Sequence, residues 1–224
     1  LFKYFLITYS SIVISKCLRL IFGNVFIDWN VVVGSFDNEL NLLKSVELKN
    51  NLHSYFADPF IIEINNKIYI FVEEFFWESS IGKISLIEFN NFKANYKGVV
   101  LEEDFHLSFP FVFNQNNVTY MVPETYQNTN ISIYESAKNP LSWKYKGDII
   151  SNICTSDTVI FPYKKILLAL TNNESGRFGD RLTNLSLFKS TKTSWHELPQ
   201  FEYISTISTE ACRSRNGGLF KWRN

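Results

Sequence analysis

Carboxylates recur in this chain where apolar strands begin or end. Asp58 opens Ala-Asp-Pro-Phe and Asp157 stands in Thr-Ser-Asp-Thr, while Glu73 and Glu74 close Phe-Val-Glu-Glu-Phe and Glu124 closes Val-Pro-Glu-Thr. Asn172 and Asn173 take the corresponding place in Leu-Thr-Asn-Asn, and Arg213 stands at the matching opening of a later stretch. A desolvated carboxylate is costly unless it is paired or used. Acids converging on one pocket suit glycosidic-bond chemistry, in which one with a raised pKa protonates the leaving oxygen and another stays ionised as base or nucleophile. The same acids also suit a structural role, bonding backbone amides and Arg213, because buried ion-pair networks resemble active sites. Spacing alone leaves both readings open.

Two further features stand near these acids. His106, three residues before Phe109, is placed to contact a ligand or to orient a carboxylate, the alternative being a satisfied histidine at a strand rim. Phe75, Phe76 and Trp77 follow the Glu pair and suit either stacking on a sugar ring or core packing. His53 and His196 have no such placement.

The elements that must position these residues form a repeat, and a period of roughly 40 to 50 residues is the signature of a β-propeller. The first unit reads ADPFIIEI, a turn at Asn65-Asn66-Lys67, IYIFVEEF, GKISLIEF and NYKGVVLEE. The second reads SFPFVFN, a turn at Gln115-Asn116-Asn117, VTYMVPET, NISIYES and LSWKYKGDII. The third reads SDTVIFPY, a turn at Lys164-Lys165, ILLALTNN, LTNLSLFKS and TSWHELP, and a fourth starts at EACRSRNGGLF. The opening positions 58, 109, 157 and 212 are spaced by 51, 48 and 55 residues. Asn- and Lys-rich turns between β-branched and aromatic runs predict antiparallel hairpins. Trp143 and Trp195, with Tyr96, are expected near fourth strands, covering the outer edge of a blade. Ile27–Phe36 predicts one or two strands that help to close the array.

Composition narrows the class. The 224 residues suit one large all-β domain, with 46% apolar and 17% aromatic residues to fill its core. Twenty-two basic and 22 acidic residues cancel, and no basic patch interleaves with aromatics, which argues against nucleic acid as a partner. Cys17, Cys154 and Cys212 have neither disulfide-framework nor zinc-ligand spacing, so a reducing compartment is expected. Four Asn-x-Ser/Thr matches are attributed to chance in an Asn-rich chain, and Gly217-Gly218 reads as a hairpin turn. Residues 1–26 read as an apolar helical segment or the remnant of a preceding domain, and 27–224 as the propeller. The uncharged run from Tyr4 to Ser15 is about half of the ~20 residues a membrane span needs. Leu1 at the start and Trp222-Arg223-Asn224 at the end suggest a piece of a longer polypeptide, with the propeller truncated.

Taken in order, ADPF, YIFVEEF, GKISLIEF, HLSFPFVF, VTYMVPET, ISIYES, Pro140 to Trp143, SDT, LSLF, Trp195 to Pro199 and ACRSRNGGLF resemble a known family. It is the N-terminal domain of glucosamine inositolphosphorylceramide transferase, with bacterial relatives encoded among envelope-polysaccharide genes and sometimes fused to formyltransferase-like domains. The resemblance spans about Trp29 to Phe220, and HLSFPFVF followed by YMVPET is its most specific part. It implies a five-bladed propeller related to family 43 and family 32 glycoside hydrolases. By the same resemblance, Asp58 matches the blade-opening base or nucleophile, Glu124 is the candidate acid and Asp157 a third, tuning carboxylate. Glu73, Glu74, His106, Trp77 and Arg213 are the expected substrate-binding residues. The implied ligand is a carbohydrate or sugar nucleotide, in glycosyl transfer, hydrolysis, or binding on behalf of a separate transferase or formyltransferase domain. No cofactor is expected, and use of a divalent cation is left open. The expected location is cytoplasmic, at the inner face of a membrane.

Overall fold

Hairpin chemistry shapes the molecule. The structure is a computed structural model that describes residues 29–37, 39, 41–136, 139–173 and 184–208. β3 (Ser54–Ile64) and β4 (Lys67–Phe76) join through Asn65 and Asn66, both left-handed at φ 52° and 60°. β7 (Ser108–Gln115) and β8 (Val118–Glu124) join through Asn116 and Asn117 at φ 52° and 62°. Two left-handed residues make a turn whose twist matches that of the flanking strands, and Asn tolerates the conformation well. Both predicted turns therefore set the register of their sheets.

The remaining strands complete antiparallel meanders. β5 (Ile81–Asn90) and β6 (Lys93–Leu101) extend the first sheet, and β9 (Ile131–Ser136) and β10 (Lys144–Ile150) the second. β11 (Thr155–Tyr163), β12 (Ile166–Asn173), β13 (Asn184–Ser190) and β14 (Glu202–Ser208) form the third, and β1 (Val31–Phe36) with β2 (Leu42–Leu48) a two-stranded sheet. Three apolar cores lie between successive sheets. Val31, Leu48, Phe56, Ile70 and Val72 fill the first, Phe71, Ile84, Leu107 and Met121 the second, and Phe111, Ile133, Ile160 and Phe188 the third.

Two expectations need correction. The fourth strand of the third sheet is Glu202–Ser208, whereas Trp195–Glu197 in the expected segment is a short 3-10 turn. The reason lies in the second expectation, that Trp143 and Trp195 cap blade edges. Each ring instead packs onto the preceding sheet, Trp143 edge-on to Phe71 at 5.5 Å and Trp195 against Phe113 at 5.0 Å and Tyr120 at 5.6 Å. A segment that must place a buried indole between sheets is not free to run as an edge strand.

The expected N-terminal helix over residues 1–26 and the fourth unit with Arg213 lie outside the described residues. Among the described residues no helix is long and apolar enough to cross a membrane.

Candidate functional site

Each opening strand carries the same irregularity. Pairing with the next strand is interrupted between Ala57 and Phe60, between Ser108 and Phe111, and between Ser156 and Val159. In every case the first extra residue is left-handed: Asp58 at φ 45°, Phe109 at φ 44° and Asp157 at φ 55°. Such bulges re-aim a side chain and end regular pairing, and a bulky residue there is strained by about 1–3 kcal/mol. The residues facing Ala57, Ser108 and Ser156 across the ladder are Glu73, Glu124 and Asn172, so these three are structural equivalents.

Strand alternation then separates the Glu pair. Glu73 shares the face of Phe71, toward the second sheet, and Glu74 shares that of Ile70 and Val72, toward β1 and β2. Glu73 meets His106, whose Nε2 lies 3.3 Å from Glu73 Oε1 and whose Nδ1 accepts the Gly82 amide at 2.9 Å. The Asp58 carboxyl shares a hydrogen bond with Glu73, and Asp58 Oδ2 also accepts the Phe109 amide at 3.3 Å. Glu124 is near enough for its charge to act on His106. The His106 amide donates to Gln127 Oε1 at 3.0 Å, which ties the loop to the turn after Glu124.

The electrostatics follow from this crowding. Burial pushes the Glu73 carboxyl above its ordinary 4.5, the His106 contact works against that, and Asp58 reinforces it. Burial disfavours the charged His106 ring, but the Glu73 hydrogen bond and the charges of Glu73, Glu124 and Asp58 outweigh it and raise its pKa. Burial raises Tyr55 too, aided by the charges of Glu73 and Asp58, so its ring stands beside the acids. Tyr55 stacks on Phe75 at 5.2 Å and contacts Trp77 at 4.9 Å, and Phe75 lies 5.9 Å from His106. All three aromatic rings are half-buried. Phe76 lies instead beneath Lys83 Nζ at 5.4 Å.

Of the residues expected at the site, the structure gathers Asp58, Glu73, His106 and Glu124, with Trp77 beside them. Glu74 is fully buried on the other face, accepting Ser54 and Ser85 hydroxyls at 2.5 Å, the Tyr96 hydroxyl at 2.6 Å and the Asn51 amide at 3.1 Å. Asp157 is buried at the corresponding bulge of the third sheet. Arg213 is outside the described residues. Sequence reasoning missed Gly82 and Tyr55. Gly82 is the second residue of β5, and a Cβ there would lie 2.6 Å from Leu107 O, 2.8 Å from His106 Cε1 and 2.9 Å from Glu73 Oε1. Among the described residues, no three His, Cys, Asp or Glu side chains are grouped to hold a metal ion.

Solved structures define the class. The exo-β-1,3-galactanase of Phanerochaete chrysosporium superposes with TM-score 0.51 at 14% identity, covering 80% of this chain and 42% of that one. A Podospora anserina α-L-arabinofuranosidase gives 0.51 at 15%, covering 73% and 54%, and a Bombyx mori family 32 β-fructofuranosidase gives 0.50 at 12%, covering 69% and 36%. At such identities the likeness concerns the fold, an all-β array of four-stranded sheets of the propeller kind. The chain belongs to the family described as glucosamine inositolphosphorylceramide transferase 1, N-terminal, whose model matches residues 38–223. Glucosamine inositolphosphorylceramide transferase 1 of Arabidopsis thaliana is 32% identical over 109 residues, which are 48% of this chain and 14% of the relative. The protein of the same name from Oryza sativa subsp. indica is 32% identical over 99 residues, 43% and 13% of the two chains. The matched stretch is therefore a small part of those relatives.

Proposed function

We propose that this chain is a carbohydrate-active propeller domain of cell-envelope glycan or glycolipid biosynthesis, acting by glycosyl transfer at the acids between its first two sheets. One observation carries the reading: Asp58, Glu73 and Glu124, drawn from two sheets, all act on a single histidine beside half-buried aromatic rings. In this reading Asp58 is the base or nucleophile, Glu124 serves as an acid and Asp157 tunes the site from the third sheet. The ligand is a carbohydrate or sugar nucleotide, with Trp77 against a sugar face. The relatives named as transferases favour transfer over hydrolysis, although the fold neighbours are hydrolases.

A second reading is a glycan-binding or scaffold module that serves a transferase or formyltransferase domain elsewhere. The small share of the relatives that this stretch matches favours it. Both readings take residues 27–224 as the domain, five blades as its closed form, and the cytoplasmic face of a membrane as its place of work. Turnover of sugar nucleotides and glycosides by wild type, Asp58→Asn and Glu124→Gln separates the two. Loss of about 100-fold or more in the variants supports catalysis, since a general acid or base contributes 10²–10⁴. Equal or absent turnover in all three, with sugar binding intact, supports the binding module.

A further inference from the structure

The contacts around Glu73 form a chain of hydrogen bonds whose direction is constrained at both ends. At one end the Gly82 amide points at His106 Nδ1 from 2.9 Å. A backbone N–H can only donate, so Nδ1 must keep its lone pair and the ring proton belongs on Nε2. That proton faces Glu73 Oε1 at 3.3 Å. At the other end the Phe109 amide donates to Asp58 Oδ2 at 3.3 Å, so that oxygen acts as an acceptor and carries no proton toward the amide. Between these ends, two carboxyl groups in mutual hydrogen bond require one proton for the pair. Glu73 is the deeply buried member, 7% exposed, while Asp58 retains partial solvent contact. Burial penalises the charged form, so the shared proton belongs on Glu73.

From this geometry we infer that Glu73 is the protonated carboxyl of the site, held there by a directional relay. The relay runs from the Gly82 N–H through neutral His106 to Glu73, and from the Glu73 hydroxyl to the Asp58 carboxylate. Gly82 and His106 are positioning residues. The carboxylates Asp58 and Glu124 attract a second proton to His106, and Tyr55 stands on the same side as an uncharged phenol. The amide decides against that proton, because an imidazolium would set Nδ1–H against the Gly82 N–H. Only glycine allows the approach, since a side chain at position 82 would push on the Leu107 carbonyl, His106 and Glu73 together. The inference rests on the proposed carbohydrate-active site and assigns its proton, a role that the resemblance implies for Glu124.

Its test needs no substrate. Nitrogen-15 spectra of His106 and carbon-13 titration of the Glu73 carboxyl, assigned by comparison with Glu73→Gln, are recorded on the full chain. At pH 7 an unprotonated Nδ1, a protonated Nε2 and a Glu73 midpoint at least one pH unit above exposed glutamates are expected. Asp58→Asn should lower that midpoint by one unit or more, because it removes the neighbouring charge and adds an amide donor. His106→Gln, whose amide can copy both contacts, should leave it nearly unchanged, and His106→Phe should raise it. A His106 protonated on both nitrogens at pH 7, or a Glu73 midpoint at or below that of exposed glutamates, overturns the assignment. If these spectra are as expected but Asp58→Asn and Glu124→Gln retain full turnover, the proton placement stands and glycosyl transfer at this site falls. If turnover falls while the spectra disagree, the reverse holds.

Discussion

Glu73 and Glu74 are neighbours in one strand, equal in charge and both buried, yet their surroundings differ in kind. Four donors from three strands and the loop before them close around Glu74. Glu73, one peptide away on the opposite face, meets a histidine from the next sheet and a second carboxyl. Burial does not distinguish these two acids; the complement of partners does. A carboxyl surrounded by hydroxyl and amide donors has its acceptor sites filled, whereas one that shares a bond with another carboxyl needs a proton between the two.

The largest effect that would sharpen this contrast is on the Glu74 side. Glu74→Ala leaves the hydroxyls of Ser54, Ser85 and Tyr96 and the Asn51 amide without their acceptor, and about 3–5 kcal/mol of stability should be lost in chemical denaturation. Gly82→Ala follows, at about 1–3 kcal/mol, the ordinary range for a methyl group forced into a filled space, together with loss of the His106 tautomer. Tyr96→Phe removes one donor to Glu74 and should cost about 1–2 kcal/mol. Its phenol is pushed up to about 12 by burial and by Glu74, so the loss should be constant from pH 5 to 9.

Glu73→Gln is expected to have the smallest effect on stability, within about 1 kcal/mol of wild type, because a glutamine amide reproduces the donor and acceptor of a protonated glutamate. Its pH dependence has a definite sign. The folded-state pKa of Glu73 is raised, so the proton stabilises the fold below the ordinary 4.5, and that contribution is lost as pH rises through the raised value. Thermal melts should therefore coincide near pH 4 and diverge above it in favour of the variant. A Glu73→Gln loss as large as that of Glu74→Ala would erase the distinction between the two faces.

Much of the architecture was legible locally. The Asn-rich turns at Asn65-Asn66-Lys67 and Gln115-Asn116-Asn117 were legible as hairpin loops, and the structure narrows each to two left-handed Asn residues. The spacing of positions 58, 109 and 157 marked three equivalent strand openings, and pairing showed that each is a bulge. The fourth strand of the third sheet was misplaced, because the local pattern of TSWHELP does not reveal that Trp195 belongs between two sheets.

The candidate site divides along the same line. Alternation along β4 puts Glu73 and Glu74 on opposite faces by the pleat alone, although both are expected at the site from the sequence. Which face meets a histidine and a second carboxyl was decided only by docking of the second sheet, which brings the loop holding His106 against Gly82 and Glu73. Those contacts join residues more than twenty positions apart. No local pattern encodes them, because they arise from the packing of whole sheets.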